Sequence, residues 1–416
     1  MTSHDSSRPF DLVLWGATGF TGCLVANYLA DHTQISDIDW AIAGRNQDKL
    51  EEVRATLGDD FDDLPILTGD ALDQSSLDAI AQKTRVVCTT VGPYARFGSH
   101  LVAACVEAGT DYCDLTGEAQ WIRQMIDEHH EEASRKGVRI VHCCGFDSIP
   151  SDLGVWKLQS EARSRYATNC DRIDLLVWKI SGGVSGGTIA SMAHLLEEAG
   201  RDRDVRRCLA DPYGLNPPDK RSGPDKAFQR TPRIHSELGA WTAPFVMAAI
   251  NEKVVRRTNA LLDDAYGENF RYSEASHLGK GVPAALRSTV MSAGLGAFSA
   301  AMTIGPTRSL LKRFLLPSPG EGPSEETIEK GHFSLRLFGW GTDDEGQEFQ
   351  LVLEASADSD PGYGATAKML GESALCLAID DVDTGIDGGV LTPASAMGDV
   401  LVERLQKAGI SFTTLE

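Results

Sequence analysis

The chain has 416 residues, with 60 acidic against 39 basic side chains and a formal net charge of −21. That length suits two or three domains, each able to bury a core, and 42% hydrophobic with 24% charged residues argue against disorder, collagen or a coiled coil. So acidic a surface repels DNA and anionic headgroups, which disfavours general nucleic-acid binding.

In chain order, residues 11–15 read as an apolar strand running into a glycine turn, and 23–30 as a helix. Strands follow at 40–43, 64–67, 85–91, 111–114 and 138–141, separated by helices at 47–57, 75–82, 100–108 and 118–135. Buried strands alternating with helices predict an α/β fold with a Rossmann-type doubly wound parallel sheet. Farther on, 172–178 reads as a strand, 188–198 as a helix and the proline-rich 211–232 as a loop. Residues 333–338 and 349–355 alternate with period two around Asp343-Asp344-Glu345-Gly346, a hairpin signal. Helices are expected at 365–379 and 396–408, and no internal repeat is visible.

The acids run 36 Asp to 24 Glu and the bases 26 Arg to 13 Lys. This lysine-poor balance suits a salt-rich host as well as an ordinary acidic enzyme. Nine cysteines, at 23, 88, 105, 113, 143, 144, 170, 208 and 376, form no CxxC pair. Several lie in apolar runs, where cysteine behaves as a small buried hydrophobe, so a reducing cytoplasm fits better than a disulfide framework. The polar stretch 1–9 carries no secretory signal, and a cytoplasmic protein is expected.

Gly16-Ala17-Thr18-Gly19-Phe20-Thr21-Gly22 joins the first strand to the first helix. Unpaired amides at such a helix start can cradle a pyrophosphate, so Gly16, Thr18, Gly19, Phe20 and Gly22 are cofactor-binding candidates. An NAD-binding domain places an acid about 20 residues past these glycines. Here Ala43-Gly44-Arg45-Asn46 offers an arginine, which suits a 2′-phosphate, and NADP(H) is favoured. Asp70 is placed either to contact adenine or to cap the next helix. Gly92 and Pro93, ending the fourth strand, fall where the chain passes the nicotinamide end.

These stretches, with Asp111–Glu118 and Gly145–Asp152, are similar to the saccharopine dehydrogenase-like oxidoreductases. Gly186-Gly187-Thr188 and the segment 316–324 resemble the branch that includes the bacterial trans-acting enoyl reductases. The resemblance implies an NADP-binding domain over 1–155, with 360–416 packing back onto it. It also implies a second α+β domain of mixed sheet over 156–359, for substrate and dimerisation. The implied activity is NADP-dependent reduction of a C=C bond in a hydrophobic or lipid-linked substrate. The alternatives are a saccharopine-type amino acid dehydrogenase acting on a C–N bond, and a non-catalytic, lipid-associated NADP-binding scaffold.

Ligands bind outside the carboxyl ends of strands in open α/β sheets, which groups Tyr94, Arg96, Asp114, Glu118, Asp147 and Ser148 with Gly187 and Thr188. Saturating a double bond needs a hydride on one carbon and a proton on its neighbour. Tyr94 is expected either to give that proton or to pack under the cofactor, with Asp114 as the second catalytic candidate. Glu118, Asp147, Ser148, Gly187 and Thr188 are expected to hold substrate. Glu118 could equally favour the start of the helix after it, and Asp147 could close a hinge. His142 reads as a core histidine. There is no HExxH, GxSxG or metal-ligand pattern, and no metal is expected.

Residues 288–307 run 20 positions without a charge, followed by the basic amphipathic 308–316. The length permits a bilayer crossing, but Ala, Gly, Ser and Thr dominate. Buried helices at a domain or dimer interface are expected, with peripheral lipid contact as the alternative. A homodimer would cover this segment.

Overall fold

The computed structural model describes residues 8–182, 186–303, 307 and 324–416. In chain order its first elements are β1 (Phe10–Trp15), α1 (Phe20–Ala30), β2 (Trp40–Gly44), α2 (Gln47–Thr56), β3 (Ile66–Thr68) and α3 (Gln74–Ala81). Next come β4 (Thr84–Thr89), α4 (Tyr94–Phe97), α5 (Ser99–Ala108), β5 (Asp111–Asp114), α6 (Ala119–Lys136) and β6 (Arg139–Val141). The middle of the chain forms α7 (Ile149–Tyr166), β7 (Arg172–Ser181), α8 (Gly186–Arg201), α9 (Arg203–Ala210), β8 (Arg233–His235) and β9 (Ala240–Ala243). It continues through α10 (Ala248–Leu261), β10 (Arg271–Gly279), α11 (Gly281–Thr303), β11 (His332–Thr342) and β12 (Glu348–Ala357). Two late helices, Gly364–Ile379 and Pro393–Lys407, enclose β13 (Gly389–Leu391), and β14 (Ser411–Leu415) ends the chain.

Two compact units result. The first takes residues up to Phe146 and Gly362–Ala408; the second takes residues from Asp147 up to Pro361 and Gly409–Glu416. The expected boundary at 155 therefore falls inside α7, which starts the second unit. The final residues, expected on the first domain, pair instead with β12 through β14, because their alternating Phe412 and Thr413 suit a sheet edge.

The first unit is an all-parallel sheet in the order β13-β6-β5-β4-β1-β2-β3. Leu12, Val13, Leu14 and Trp15 are buried, as are Val86, Val87 and Cys88 on the neighbouring strand. Such continuous apolar runs are what a sheet covered on both faces requires. The order reverses between β1 and β4, so the glycine turn after β1 lies at the switch point where ligands bind. The helix Gly364–Ile379, buried along most of its length, packs on β1, β4, β5 and α1. Arg404 of the other late helix ties the two helices together by pairing with Glu372 at 3.0 Å and with Asp380.

The second unit is a mixed sheet in the order β14-β12-β11-β7-β10-β9-β8, with β7 parallel to β10. One face is built from Ile173, Leu175, Leu335, Leu337, Leu351 and Leu353, all buried, and α7 and α10 lie on this sheet. A Cβ on Gly154 of α7 would stand 3.0 Å from Leu337 Cδ2, so glycine here lets the helix approach without displacing that side chain by a few tenths of an ångström. In α11, Ala284, Ser288 and Ser292 are buried at four-residue spacing, while Val282, Leu286 and Val290 are exposed. Of the 288–307 segment, expected to be buried at a domain or dimer interface, Ser288 and Ser292 are buried in the single chain, whereas Val290 is 63% exposed. Residues 304–306 and 308–316 lie outside the described residues. Among the described residues, no helix is long and apolar enough to cross a membrane.

Candidate functional site

The glycine turn is built by exclusion. Gly16 has φ +93°, and a Cβ there would stand 2.5 Å from Val91 Cγ2. On Gly22 it would collide with the Gly16 carbonyl. Gly19 differs: its φ of −78° is ordinary, and an added Cβ would meet only Gly16 O, at 3.4 Å. Gly19 therefore opens space rather than permitting a turn. It is also the N-cap of α1, with no side chain capping the helix and no acid in the first turn. Thr18 and Phe20 flank it, half-buried. These uncapped amides and the positive end of the helix dipole suit an anion.

At the end of β2, Arg45 is exposed and neither hydrogen-bonds nor ion-pairs with any described residue. Asn46 caps α2 by accepting the Lys49 amide at 3.1 Å. The exposed Lys49 ammonium has no partner among the described residues either. Two unengaged cations beside one helix start, in a chain this acidic, fit a phosphate. Lys49 was missed in the sequence; its signal was the spacing of four from Arg45, on the first turn of the helix. Asp70 does not cap the next helix. Asp73 does so, accepting Ser75 N at 3.1 Å. Asp70 accepts Leu72 N through one oxygen at 2.9 Å, and Leu72 beside it is 59% exposed.

Gly92 and Pro93 lead into α4, whose first amides have no local cap. Glu118 supplies it from 24 residues away, accepting Tyr94 N at 2.8 Å and Ala95 N at 3.0 Å. Both of its oxygens are engaged, and the residue is 2% exposed. Tyr94 is buried, stacks on Trp121 at 5.5 Å and donates its hydroxyl to Thr89 O at 3.1 Å. Burial, reinforced by Asp114, pushes its phenol well above the ordinary range. Against the expectation that Tyr94 gives the proton, its hydroxyl is committed to the backbone. The exposed Arg96 lies over Phe97 at 5.0 Å.

Asp114 ends β5 with no exposure and four donors: Thr116 N, Cys143 N, Tyr112 OH and the His142 ring at 2.7 Å. Its backbone oxygen also accepts Cys144 N at 2.7 Å. Asp114 thus pins the turn after β6, where Cys143 has φ +65°. His142, read as a core histidine, is buried with Nε2 unpartnered among the described residues.

Asp147, Ser148, Gly187 and Thr188 belong to the second unit. Burial pushes the Asp147 carboxyl up to about 6, and no described group hydrogen-bonds to it. Ser148 donates to Asn251 Oδ1 at 3.1 Å. Asn251 in turn donates to Glu274 at 3.0 Å, as Tyr272 does at 2.7 Å, and burial raises Glu274 to about 7. Gly187 and Thr188 lie in the first turn of α8; the Thr188 side chain is outside the described residues. Sequence reading missed Asn251 and Glu274, because polar residues on helices and strands ordinarily face water.

Comparison with known proteins agrees with this geometry. Residues 12–141 match the saccharopine dehydrogenase NADP-binding domain. The chain is 40% identical over 425 positions to a trans-acting enoyl reductase of Mycobacterium bovis, covering 98% of each. It is 39% identical over 419 positions to one of Mycobacterium ulcerans, covering 97% of each. A Mycobacterium tuberculosis protein given that name provisionally is 46% identical over 417 positions, covering 98% of each. Saccharopine dehydrogenase (L-Glu forming) of Saccharomyces cerevisiae shares the fold, with TM-score 0.53 and 15% identity over 97% of this chain and 99% of that one. An uncapped α1, an open Gly19 and an unpaired Arg45 fit NADP(H), and the chain is an NADP(H)-binding oxidoreductase that belongs to the saccharopine dehydrogenase-like family of trans-acting enoyl reductases.

Proposed function

We propose that this oxidoreductase saturates the C=C bond of an enoyl group carried on a hydrophobic or lipid-linked chain, at the expense of NADPH. The observation that carries the cofactor half is the unengaged pair Arg45 and Lys49, where an NAD-binding domain keeps an acid. The substrate half rests on likeness to the trans-acting enoyl reductases over 97–98% of the chain.

NADPH, when bound, supplies the hydride. The first turn of α1 holds the pyrophosphate, Arg45 and Lys49 the 2′-phosphate, and Asp70 with Leu72 the adenine. Glu118 clamps the amides of Tyr94 and Ala95 and so fixes the segment after Gly92-Pro93, assigned to the nicotinamide end. We assign the proton to Asp147, whose carboxyl is unpartnered and keeps a proton up to a pH of about 6. Asp114 acts through the backbone: it pins residues 143 and 144, and the chain reaches Asp147 three residues later. Tyr94 packs and positions. Ser148, Gly187 and Thr188 keep their proposed place at the substrate, Ser148 through its bond to Asn251.

The exposed Val282, Leu286 and Val290 stripe of α11 supports an apolar substrate chain and gives a cytoplasmic protein a surface for peripheral lipid contact. An amino acid dehydrogenase would need free cations for carboxylates, and Arg256, buried in the second unit, is already paired with Asp225 at 2.7 Å and Glu252 at 3.0 Å. The test is NADPH consumption with 2-enoyl thioesters of increasing chain length. Turnover that improves with length is expected. Turnover on amino or imino acids alone would favour the C–N enzyme, and binding without turnover on either class would favour the scaffold.

A further inference from the structure

A chain of buried hydrogen bonds runs through the second unit behind Ser148, and its polarity is set from the far end. Glu274 of β10 takes the Tyr272 hydroxyl on one oxygen at 2.7 Å and Asn251 Nδ2 on the other at 3.0 Å. An ionised carboxylate only accepts, so it holds the Asn251 amide with nitrogen toward Glu274 and Oδ1 toward Ser148. Ser148 therefore gives its one hydrogen to Asn251 Oδ1, at 3.1 Å. Ser148, Ser151, Asn251, Tyr272 and Glu274 are all buried, so bulk water relieves none of these links. Ser148 is also the N-cap of α7, yet its side chain caps nothing. A serine in that place ordinarily turns its oxygen to the first amides of the helix; this one serves Asn251 instead.

The surroundings leave the charge of Glu274 unbalanced. From α10, Glu252 accepts the Glu274 amide at 3.1 Å, and Arg256 pairs with Glu252 at 3.0 Å. From the loop before β8, Asp225 pairs with the same Arg256 at 2.7 Å and accepts the Tyr272 amide at 3.0 Å. From α7, Ser151 accepts Asn251 Nδ2 at 3.2 Å, and Asp152 takes the Thr258 hydroxyl. Across the sheet, β7 sets Leu175 opposite Glu274, and its Asp174 takes Ser273. The nearby cation is thus spent on Glu252 and Asp225, and burial raises the Glu274 carboxyl to about 7.

We propose that Glu274 is a positioning residue of the reduction, whose gain or loss of a proton decides which way the Ser148 hydroxyl points. The inference rests on the placement of Ser148 at the substrate. With Glu274 ionised, the hydrogen of Ser148 stays on Asn251. When Glu274 takes one proton from solvent, it becomes a donor toward Asn251. The amide then turns over, with Oδ1 accepting from Glu274 and Nδ2 donating to Ser148 Oγ. Ser148 thereby releases its hydrogen to a substrate oxygen, and the carboxyl O–H is the one covalent bond made. That oxygen is the thioester carbonyl, which gains negative charge as hydride adds to the β-carbon; an aimed donor there stabilises the charge. Asp147, one residue earlier, gives its proton to the α-carbon.

Glu274→Gln tests this, because its amide imitates the protonated acid: the oxygen still accepts from Tyr272 and the nitrogen donates to Asn251. On a 2-enoyl thioester its kcat/KM should lie within about twofold of the parent at pH 6 and exceed it about tenfold at pH 8, where the parent has lost most of that proton. In a Ser148→Ala background, itself slowed about a hundredfold, the same change should do nothing. A gain equal at every pH, a gain that survives the loss of Ser148, or a loss of activity in the folded variant overturns the inference. A second readout needs neither turnover nor the variant: infrared spectra of the bound saturated thioester, isotope-labelled at its carbonyl. In the parent that band should move to lower frequency between pH 8 and pH 6. A band indifferent to pH overturns the inference. A band that moves in a protein reducing no enoyl thioester would sink the reductase reading and leave the Ser148 switch standing.

Discussion

Glu118 grips Tyr94 and its neighbour with both carboxylate oxygens, at 2.8 and 3.0 Å, and thereby caps a four-residue helix that has no cap of its own. A buried acceptor of two amides is a structural clamp. Glu118→Gln, which can accept only one of them through its carbonyl, should cost about 1–3 kcal/mol. Urea denaturation measures this. NADPH affinity should fall with it, since the clamped segment is the one assigned to the nicotinamide end.

Arg45 and Lys49 should act on one phosphate and on nothing else. A charge-assisted bond contributes about 1.5–3 kcal/mol, so Arg45→Ala should weaken NADPH about tenfold to a hundredfold. Lys49→Ala should do somewhat less, and NADH affinity should move little in either. Fluorescence titration with both nucleotides reads the difference.

The two glycines of the turn separate function from folding. Gly19 has an ordinary φ and open space, so Gly19→Ala should melt within about 1 kcal/mol of the parent while binding NADPH more weakly. Gly22→Ala drives a methyl into the Gly16 carbonyl and should destabilise by about 1–3 kcal/mol. Thermal melts with and without NADPH distinguish them.

How much of this was legible in the sequence follows from the same contrast. Glycines, Arg45 and the first six strands announce themselves because their roles depend on backbone, charge and continuous apolar runs, all local properties. The seventh strand, Gly389–Leu391, is three residues beside Gly388 and leaves no period to read. Tyr94 was placed at the right strand end, but the direction of its hydroxyl is set by Trp121, 27 positions away. Glu118 was read as substrate-binding or as favouring its own helix; it caps a different helix. The polar side of α10 is buried by a sheet that no local pattern predicts.

Asp147 gives a pH signature. Burial raises its pKa from 3.8 to about 6, so over that interval the folded state binds more protons than the unfolded and stability falls as pH rises. Asp147→Asn should therefore be more stable than the parent above about pH 6, by up to about 3 kcal/mol. The two should converge below about pH 4. If Asp147 gives the proton, the same variant is folded, binds NADPH and turns over at least about a hundredfold more slowly. A parent profile of kcat/KM falling above about pH 6 would accompany it.

The central claim is hydride transfer from NADPH to an enoyl carbon. Its most direct measurement is incubation with NADPH deuterated at the transferring position of the nicotinamide and a long-chain 2-enoyl thioester, with mass spectrometry of the product. The account predicts a saturated thioester carrying a single deuterium on carbon, formed at least about a hundredfold more slowly by Asp147→Asn. A protein that binds NADPH yet returns the enoyl thioester unreduced and unlabelled would contradict it.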